Sequence, residues 1–315
     1  MIFGLDSGYG MDKYAYRKNN ELVFGKIISA IADAPIDAED MPLFEGRRYY
    51  VGKIALMEDS SNIKNILDYK DHETFAPLSI WHAMDENKIK AEDITKLAVG
   101  LSLAQKDYAK QFVNRITKFT VNDEKFDFKD KVILIPQGIG AKYAIDYFYM
   151  KDEEEPTYAI IDIGQLTVDV VTVISGKVRR ENAMGSAHDG VIKIIQNLQE
   201  HMASPEVFND VLSIKETQEI LKNKFYTVYG EKYDLGEIIE KMKKDYTKFL
   251  MITLQQKYKN IFKKYPKIFF VGGGAYYIDK EVVSSMANIP VKSILIPENP
   301  EYLNAIGNLL AAEKA

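Results

Sequence analysis

Two aspartates close apolar runs in this chain, Asp6 after Ile2-Phe3-Gly4-Leu5 and Asp162 after Tyr158-Ala159-Ile160-Ile161, and a glycine stands two positions beyond each, at Gly8 and Gly164. A carboxylate at a strand end can hold a hydrated Mg²⁺, and a glycine, having no Cβ, lets main-chain N–H groups come close to an anion. Lys13, seven residues after Asp6, adds a positive charge suited to phosphate oxygens, and the same step from Asp162 arrives at Asp169. The chemistry on offer is phosphate binding. Ser7, Gly8, Tyr9 and Gly10 would form one turn and Gly164 and Gln165 the other, with Asp6 and Asp162 facing the metal. Either turn alone reads more simply as a glycine-containing β-hairpin. Their recurrence at the start of each half of the chain implies an internal duplication: two related domains, each offering a phosphate-facing hairpin to a shared cleft.

Two further stretches belong with these. Lys131–Ile135 is a short β-rich run ending in Pro136-Gln137-Gly138-Ile139-Gly140, after which helical periodicity resumes, so Gln137 sits at the carboxyl end of a strand, where α/β proteins place ligand chemistry. Lys267–Val271 runs directly into Gly272-Gly273-Gly274-Ala275. Bare backbone there suits a platform for a nucleotide base and ribose, or simply a tight strand-to-helix turn. The cluster Ser186, His188 and Asp189 is rejected as a catalytic triad, because residues so close in sequence rarely converge. The four histidines have no metal-ligand spacing.

The elements that must position these residues alternate between strand and helix. Glu21–Ala32 and Arg47–Gly52 read as strands, the second after a Glu45-Gly46 turn, and Lys64–Asp71 as a polar connection. Glu73–Asn87 is a helix with Phe75, Leu78, Ile80, Trp81 and Met84 inward, Lys96–Leu103 a buried strand, and Lys106–Phe119 a helix. The charged stretch Lys151–Pro156 marks a domain boundary, giving domains at 1–155 and 156–299. In the second, Val168–Ile174 is a strand and Val191–Met202 an amphipathic helix capped by Asp189. Ser213–Phe225 and Gly236–Phe262 are helical, and a last helix, Pro300–Glu313, has Ala305 and Gly307 for close packing and crosses back to brace the first domain. The fold class expected is α/β.

With 315 residues, 46% of them hydrophobic, the chain can fill two ordinary cores. A net charge of −5 spread along the sequence gives no sign of direct nucleic-acid or lipid binding. The lack of cysteine excludes disulfides and thiolate chemistry. Neither a signal peptide nor a membrane-spanning run is expected, and a cytoplasmic location is.

In this order the stretches resemble the signature of the actin-like ATPases, the superfamily of actin, sugar kinases and the Hsp70 nucleotide-binding domain. Asp6–Lys13 is similar to the phosphate-1 loop, Pro136-Gln137-Gly138 to the first interdomain connection, Asp162–Asp169 to the phosphate-2 loop, Val271–Ala275 to the adenosine motif and Pro300–Gly307 to the second connection. Within the superfamily Tyr49–Ala55 and Gly100–Leu103 resemble the ParM/StbA group. Gln165 stands where many relatives have a second glycine, and Gln137 where ParM-like proteins usually carry Glu and actin has Gln.

The resemblance implies two duplicated RNase H-like domains around an interdomain cleft that binds ATP or ADP. It implies Mg²⁺ held through waters by Asp6 and Asp162, Lys13 on the β- and γ-phosphates, and N–H groups of Gly8, Gly10 and Gly164 around them. Gln137 would position the attacking water, with Asp169 helping to order it or the metal. It further implies head-to-tail, double-stranded self-assembly and plasmid segregation through a DNA-binding adaptor protein. A non-polymerising nucleotide-binding scaffold and a small-molecule kinase of the same fold are the alternatives.

Overall fold

The computed structural model describes residues 1–58, 63–64, 69–179, 183–258 and 260–315. Of the expected connection Lys64–Asp71, residues 65–68 lie outside the described residues, while Lys64 ends a strand and Tyr69–Asp71 open a helix. In chain order the first part holds β1 (Ile2–Asp6), β2 (Met11–Lys18), β3 (Glu21–Ile28), β4 (Ile31–Ala34), β5 (Leu43–Phe44), β6 (Arg47–Val51) and β7 (Ile63–Lys64). There follow α1 (Tyr69–Glu86), β8 (Lys96–Leu101), α2 (Ala109–Thr117), β9 (Lys118–Val121), β10 (Glu124–Asp127), β11 (Val132–Pro136) and α3 (Ile139–Tyr149). The second part holds β12 (Tyr158–Ile163), β13 (Val168–Ile174), β14 (Lys177–Val178), β15 (Met184–Ser186), α4 (Ile192–Ala203), α5 (Ile214–Asn223), β16 (Phe225–Val228) and β17 (Glu231–Asp234). It closes with α6 (Gly236–Lys257), α7 (Ile261–Lys264), β18 (Ile268–Val271), α8 (Lys280–Ala287), β19 (Ile294–Leu295) and α9 (Leu303–Lys314).

The duplication is visible in the strand order. One sheet runs β11-β8-β1-β2-β3 and another β19-β18-β12-β13-β14, with the same sense at every pairing: the first hairpins antiparallel, the later strands added in parallel. Even the register matches, since Asp6 pairs with Lys13 and Asp162 with Asp169.

Strand alternation sets where the main cores lie. On β1 Phe3 and Leu5 face an outer core shared with α1 and α2, while on β12 Ala159, Ile161 and Ile163 face a second outer core with α4, α6 and α8. The opposite faces meet a central core containing Ala15, Tyr158, Ile160, Val171 and Phe269 together with α3 and α9. These two helices therefore form the joint between the sheets. Their approach depends on Gly307, where a Cβ would lie 1.7 Å from the Gly140 carbonyl oxygen, as the small residues of the last helix had suggested.

Several local expectations are corrected. Glu21–Ala32 is two strands rather than one: the chain bends at Ser29-Ala30, and β4 leaves to join a separate sheet ordered β10-β9-β5-β6-β4-β7. Trp81 is only partly buried, whereas Phe75, Leu78, Ile80 and Met84 fill the core as expected. Asp189 does not cap α4, whose N-cap is Val191; its carboxylate binds Lys257 and Ser186 instead. The hairpins β9–β10 and β16–β17 escaped the sequence reading, although in the first and just after it Phe119, Val121, Phe126 and Phe128 alternate with polar residues and are buried.

Candidate nucleotide cleft

Strand parity brings the site together. Gly4 and Asp6 on β1, Lys13 and Ala15 on β2, and Tyr158, Ile160 and Asp162 on β12 all point to the joint between the sheets, where α3 and α9 hold the lower part closed. Above the helices the two hairpin turns face one another across a cleft of about 1090 Å³ lined by Asp6, Lys13, Gln137, Asp162, Gly164 and Gly273, among others. Ser7, Gly8, Tyr9, Gly10, Gln165, Gly272 and Gly274 also line it.

The first turn is built around a buried acid that the sequence reading passed over. Asp12 is fully buried, and its Oδ1 accepts from Ser7 Oγ at 3.0 Å and from the Gly8 N–H at 3.1 Å. Burial raises its pKa, opposed by the hydroxyls of Ser29, Ser79 and Ser7 and by Lys13. Ser7 Oγ also lies 3.0 Å from Nε2 of His72 on α1. Because the hydroxyl donates to Asp12, the imidazole must donate to the hydroxyl, which sets the Nε2–H tautomer. Burial lowers the His72 pKa to about 4, so the ring is neutral near pH 7. Tyr9 packs on the same ring. The turn backbone is thereby fixed from behind while its other face lines the cleft.

Across the cleft Asp6 Oδ1 accepts from Gln137 Nε2 at 2.7 Å, and Asp6 Oδ2 lies 3.8 Å from Lys13 Nζ. Asp162 Oδ2 accepts from Asn304 Nδ2 at 2.6 Å. Asn304, on α9, also accepts through Oδ1 from the N–H groups of Gly138 (3.0 Å) and Ala141 (3.1 Å), so one buried amide caps α3 and orients Asp162. One turn further along α9, Asn308 Nδ2 donates to the Leu5 carbonyl beside Asp6. Neither asparagine was a sequence candidate; the available signal was two amides four residues apart in an otherwise apolar helix.

Burial and the nearby charge of Asp6 push the Asp162 pKa up to about 6, against the Asn304 hydrogen bond. A cation between Asp6 and Asp162 would relieve that repulsion. Among the described residues no cluster of three or more ligating side chains exists. A pair of carboxylates fits a hydrated Mg²⁺ that arrives with phosphate oxygens, which completes its shell largely with water and needs only one or two side chains.

The glycine-rich turn after β18 divides its labour. At Gly272, with φ of +78°, a Cβ would meet the Ile163 carbonyl oxygen at 2.4 Å and Asp162 Oδ1 at 2.5 Å; at Gly274 it would meet Ile163 Cγ2 at 2.1 Å. Both are required by the packing of the turn against the end of β12. Gly273 has nothing within 4 Å of its Cβ position and offers a bare face to the cleft. Ala275 is buried behind the turn and is not part of the cleft wall.

Asp169 is the principal departure from expectation. It is buried, and its Oδ1 accepts from Ser102 Oγ and from the Leu103 N–H, both at 3.0 Å, at the corner that follows β8. It is not part of the cleft wall. The parity that aims Asp162 at the cleft aims Asp169, one strand further from the centre, at the opposing half of the molecule, where it ties the halves together. Burial and the adjacent Asp162 raise its pKa well above the usual carboxylate range.

Known proteins share this fold. Residues 160–284 match the family described as "Archaeal actin homologue MreB-like, C-terminal". Among solved structures, the archaeal actin homologue Ta0583 is 19% identical with a TM-score of 0.75, over 100% of this chain and 99% of that one. The same homologue in complex with ADP is matched at 18% identity and a TM-score of 0.75, again over 100% and 99% of the two chains. The subunit of a 15-stranded ParM filament from Clostridium botulinum is 17% identical with a TM-score of 0.76, over 100% and 99%. No curated protein matches the sequence. The chain has the actin-like ATPase fold, two duplicated RNase H-like halves around a cleft.

Proposed function

We propose that this protein binds and hydrolyses ATP in the cleft and assembles with copies of itself into nucleotide-dependent filaments. The observation that carries the reading is the convergence of Asp6, Lys13, Gln137 and Asp162, from four separate elements, on one cleft between two glycine-bearing turns. A nucleotide would lie with its base and ribose along Gly273 and its phosphates between Gly8, Gly10 and Gly164. Lys13 neutralises phosphate oxygens, and turn N–H groups donate to them without having to reorganise. Mg²⁺ held through waters by Asp6 and Asp162 would offset the charge of the phosphates. Gln137, whose amide donates to Asp6 at the mouth of α3, would orient the attacking water.

The filament reading draws support from the ParM filament of the same fold, and nucleotide binding from the ADP complex of the archaeal homologue. Our finer reading is a cytoplasmic protein that segregates plasmids through a DNA-binding adaptor protein, with domains at 1–155 and 156–299 and residues 300–315 returning to the first. Among the described residues no helix is long and apolar enough to cross a membrane. A small-molecule kinase needs a carboxylate to take the proton of a substrate hydroxyl, and the burial of Asp169, which could have served, weakens that alternative. Sedimentation with ATP, with ADP and without nucleotide, read beside phosphate release, tests the proposal. A sedimenting species that forms with ATP and declines as phosphate appears is expected. Its absence at every reachable concentration rejects the filament, and turnover only with a small hydroxylated substrate favours the kinase.

A further inference from the structure

Gln165 crosses from the second phosphate turn to the first. An ideal Cβ on Gly10 would lie 1.9 Å from Gln165 Oε1 and 3.0 Å from its Cδ, so the carboxamide rests directly on the bare Cα of the opposing turn. The same Oε1 accepts from Nε2 of Gln218 on α5 at 3.1 Å, and both glutamines line the cleft. Gln165 Nε2 has no protein partner among the described residues. The side chain is thus seated on one half of the molecule, anchored to a helix of the other, and keeps one amide donor in reserve at the junction of the two turns.

Gly10 does not have a positive φ, so its backbone accepts an L-residue. What excludes a side chain there is the Gln165 carboxamide. The two positions are matched: a bare residue in one turn and a bridging amide in the other. A second glycine at position 165 would leave the turns without this spacer.

We propose that Gln165 is a specificity-determining residue for the terminal phosphate of the nucleotide. It sets the approach of the two turns and presents Nε2–H to the phosphate held between them, favouring a triphosphate over a diphosphate. The inference rests on the nucleotide-binding reading above. A terminal phosphate carries more negative charge than a bridging one and needs donors on several sides; Lys13 and the turn N–H groups approach from the walls, and Gln165 from the seam. A neutral amide supplies a charge-assisted hydrogen bond without trapping the product electrostatically. When the terminal phosphate has left, the amide has only water to bind.

The full-length protein and the variants Gln165→Ala, Gly10→Ala and Gly10→Ala/Gln165→Ala would be compared in two assays. One is the melting temperature without nucleotide; the other is affinity for ATP and for ADP by displacement of a fluorescent analogue in the presence of Mg²⁺. Gln165→Ala is expected to weaken ATP about tenfold or more, the worth of one charge-assisted bond, and to change ADP affinity by less than about twofold. Gly10→Ala is expected to lower the melting temperature, and the double variant to recover it, because removal of the carboxamide opens the space the new methyl needs. Equal weakening of ATP and ADP, or a double variant no more stable than Gly10→Ala, overturns the inference while nucleotide binding stands. A wild-type protein that binds neither nucleotide overturns the reading of the cleft, and the inference with it.

Discussion

Replacing Asn304 by alanine should be felt in the fold and in the chemistry at once. Its buried amide accepts from two N–H groups in the first turn of α3 and donates to Asp162. In Asn304→Ala both donors lose their acceptor, and each unsatisfied buried group costs about 1–3 kcal/mol. Water admitted to the vacated space recovers part of that, leaving a loss of about 2–4 kcal/mol and a melting temperature lower by roughly 5 °C or more. The chemical effect is on Asp162, whose pKa of about 6 already includes the help of the Asn304 bond. A hydrogen bond to a charged group contributes about 1.5 kcal/mol or more, and 1.36 kcal/mol corresponds to one pH unit, so the Asp162 pKa should rise by about one unit.

The sign follows from the need for an ionised carboxylate. Cation binding strengthens as pH rises through the Asp162 pKa, so Mg²⁺-dependent nucleotide affinity in the wild type should have its midpoint at about 6. In Asn304→Ala the midpoint moves up by about one unit, so at neutral pH about half of the carboxylate is protonated and affinity falls about twofold although the variant remains folded. Titration of Mg²⁺ against fixed nucleotide by calorimetry, from about pH 5 to about pH 8.5, reads the midpoint directly, with circular dichroism checking the fold. A variant that is less stable yet keeps the wild-type midpoint would refute the coupling and reduce Asn304 to a helix cap.

Four further variants test single positions. Asp169→Asn keeps an acceptor for Ser102 and Leu103 while removing a buried acid whose pKa burial and Asp162 raise; it should raise stability at neutral pH by about 1 kcal/mol, and a less stable variant would show the ionised form to be needed. His72 has a pKa lowered from 6.5 to about 4, so its contribution is fully present above 6.5 and is lost as pH falls through 4, amounting to about 3 kcal/mol; Asp162, raised from 3.8 to about 6, acts oppositely and favours the fold as pH falls through 6. The acid limb of the melting profile should therefore be shallower in His72→Gln than in the wild type, and parallel profiles would count against the buried neutral ring. Gly307→Ala forces a methyl against the Gly140 backbone and should cost about 3 kcal/mol or more, whereas Gly273→Ala meets nothing and should leave the melting temperature unchanged while weakening nucleotide binding.

What the sequence disclosed and what it hid divide along a physical line. The two hairpins were legible because each is local: an apolar strand, an acid, a glycine turn and a returning strand lie within twelve consecutive residues, and the duplication repeats them in register. Asp6, Lys13 and Asp162 could be aimed at one cleft because parity along a strand decides which face a residue takes. Parity also aims Asp169 at the joint, but whether a residue on that face meets the cleft or the other half depends on its distance from the central strands. The corner at Ser102-Leu103 that receives it lies more than sixty residues away. Asn304, Asp12 and His72 were hidden for the same reason, each defined by a partner from a remote element or by burial. Their common trait is polarity inside apolar surroundings, which a folded chain tolerates only when satisfied. In α9 that trait stood in plain view: amides at 304 and 308 share a helix face with Leu303, Ala305, Ile306, Leu309 and Leu310 around them, and a packing role alone would have called for leucine. Here the buried amide joins the end of one sheet's acidic strand to the cap of α3, so the helix that joins the two halves also orients the carboxylate on which the cleft depends.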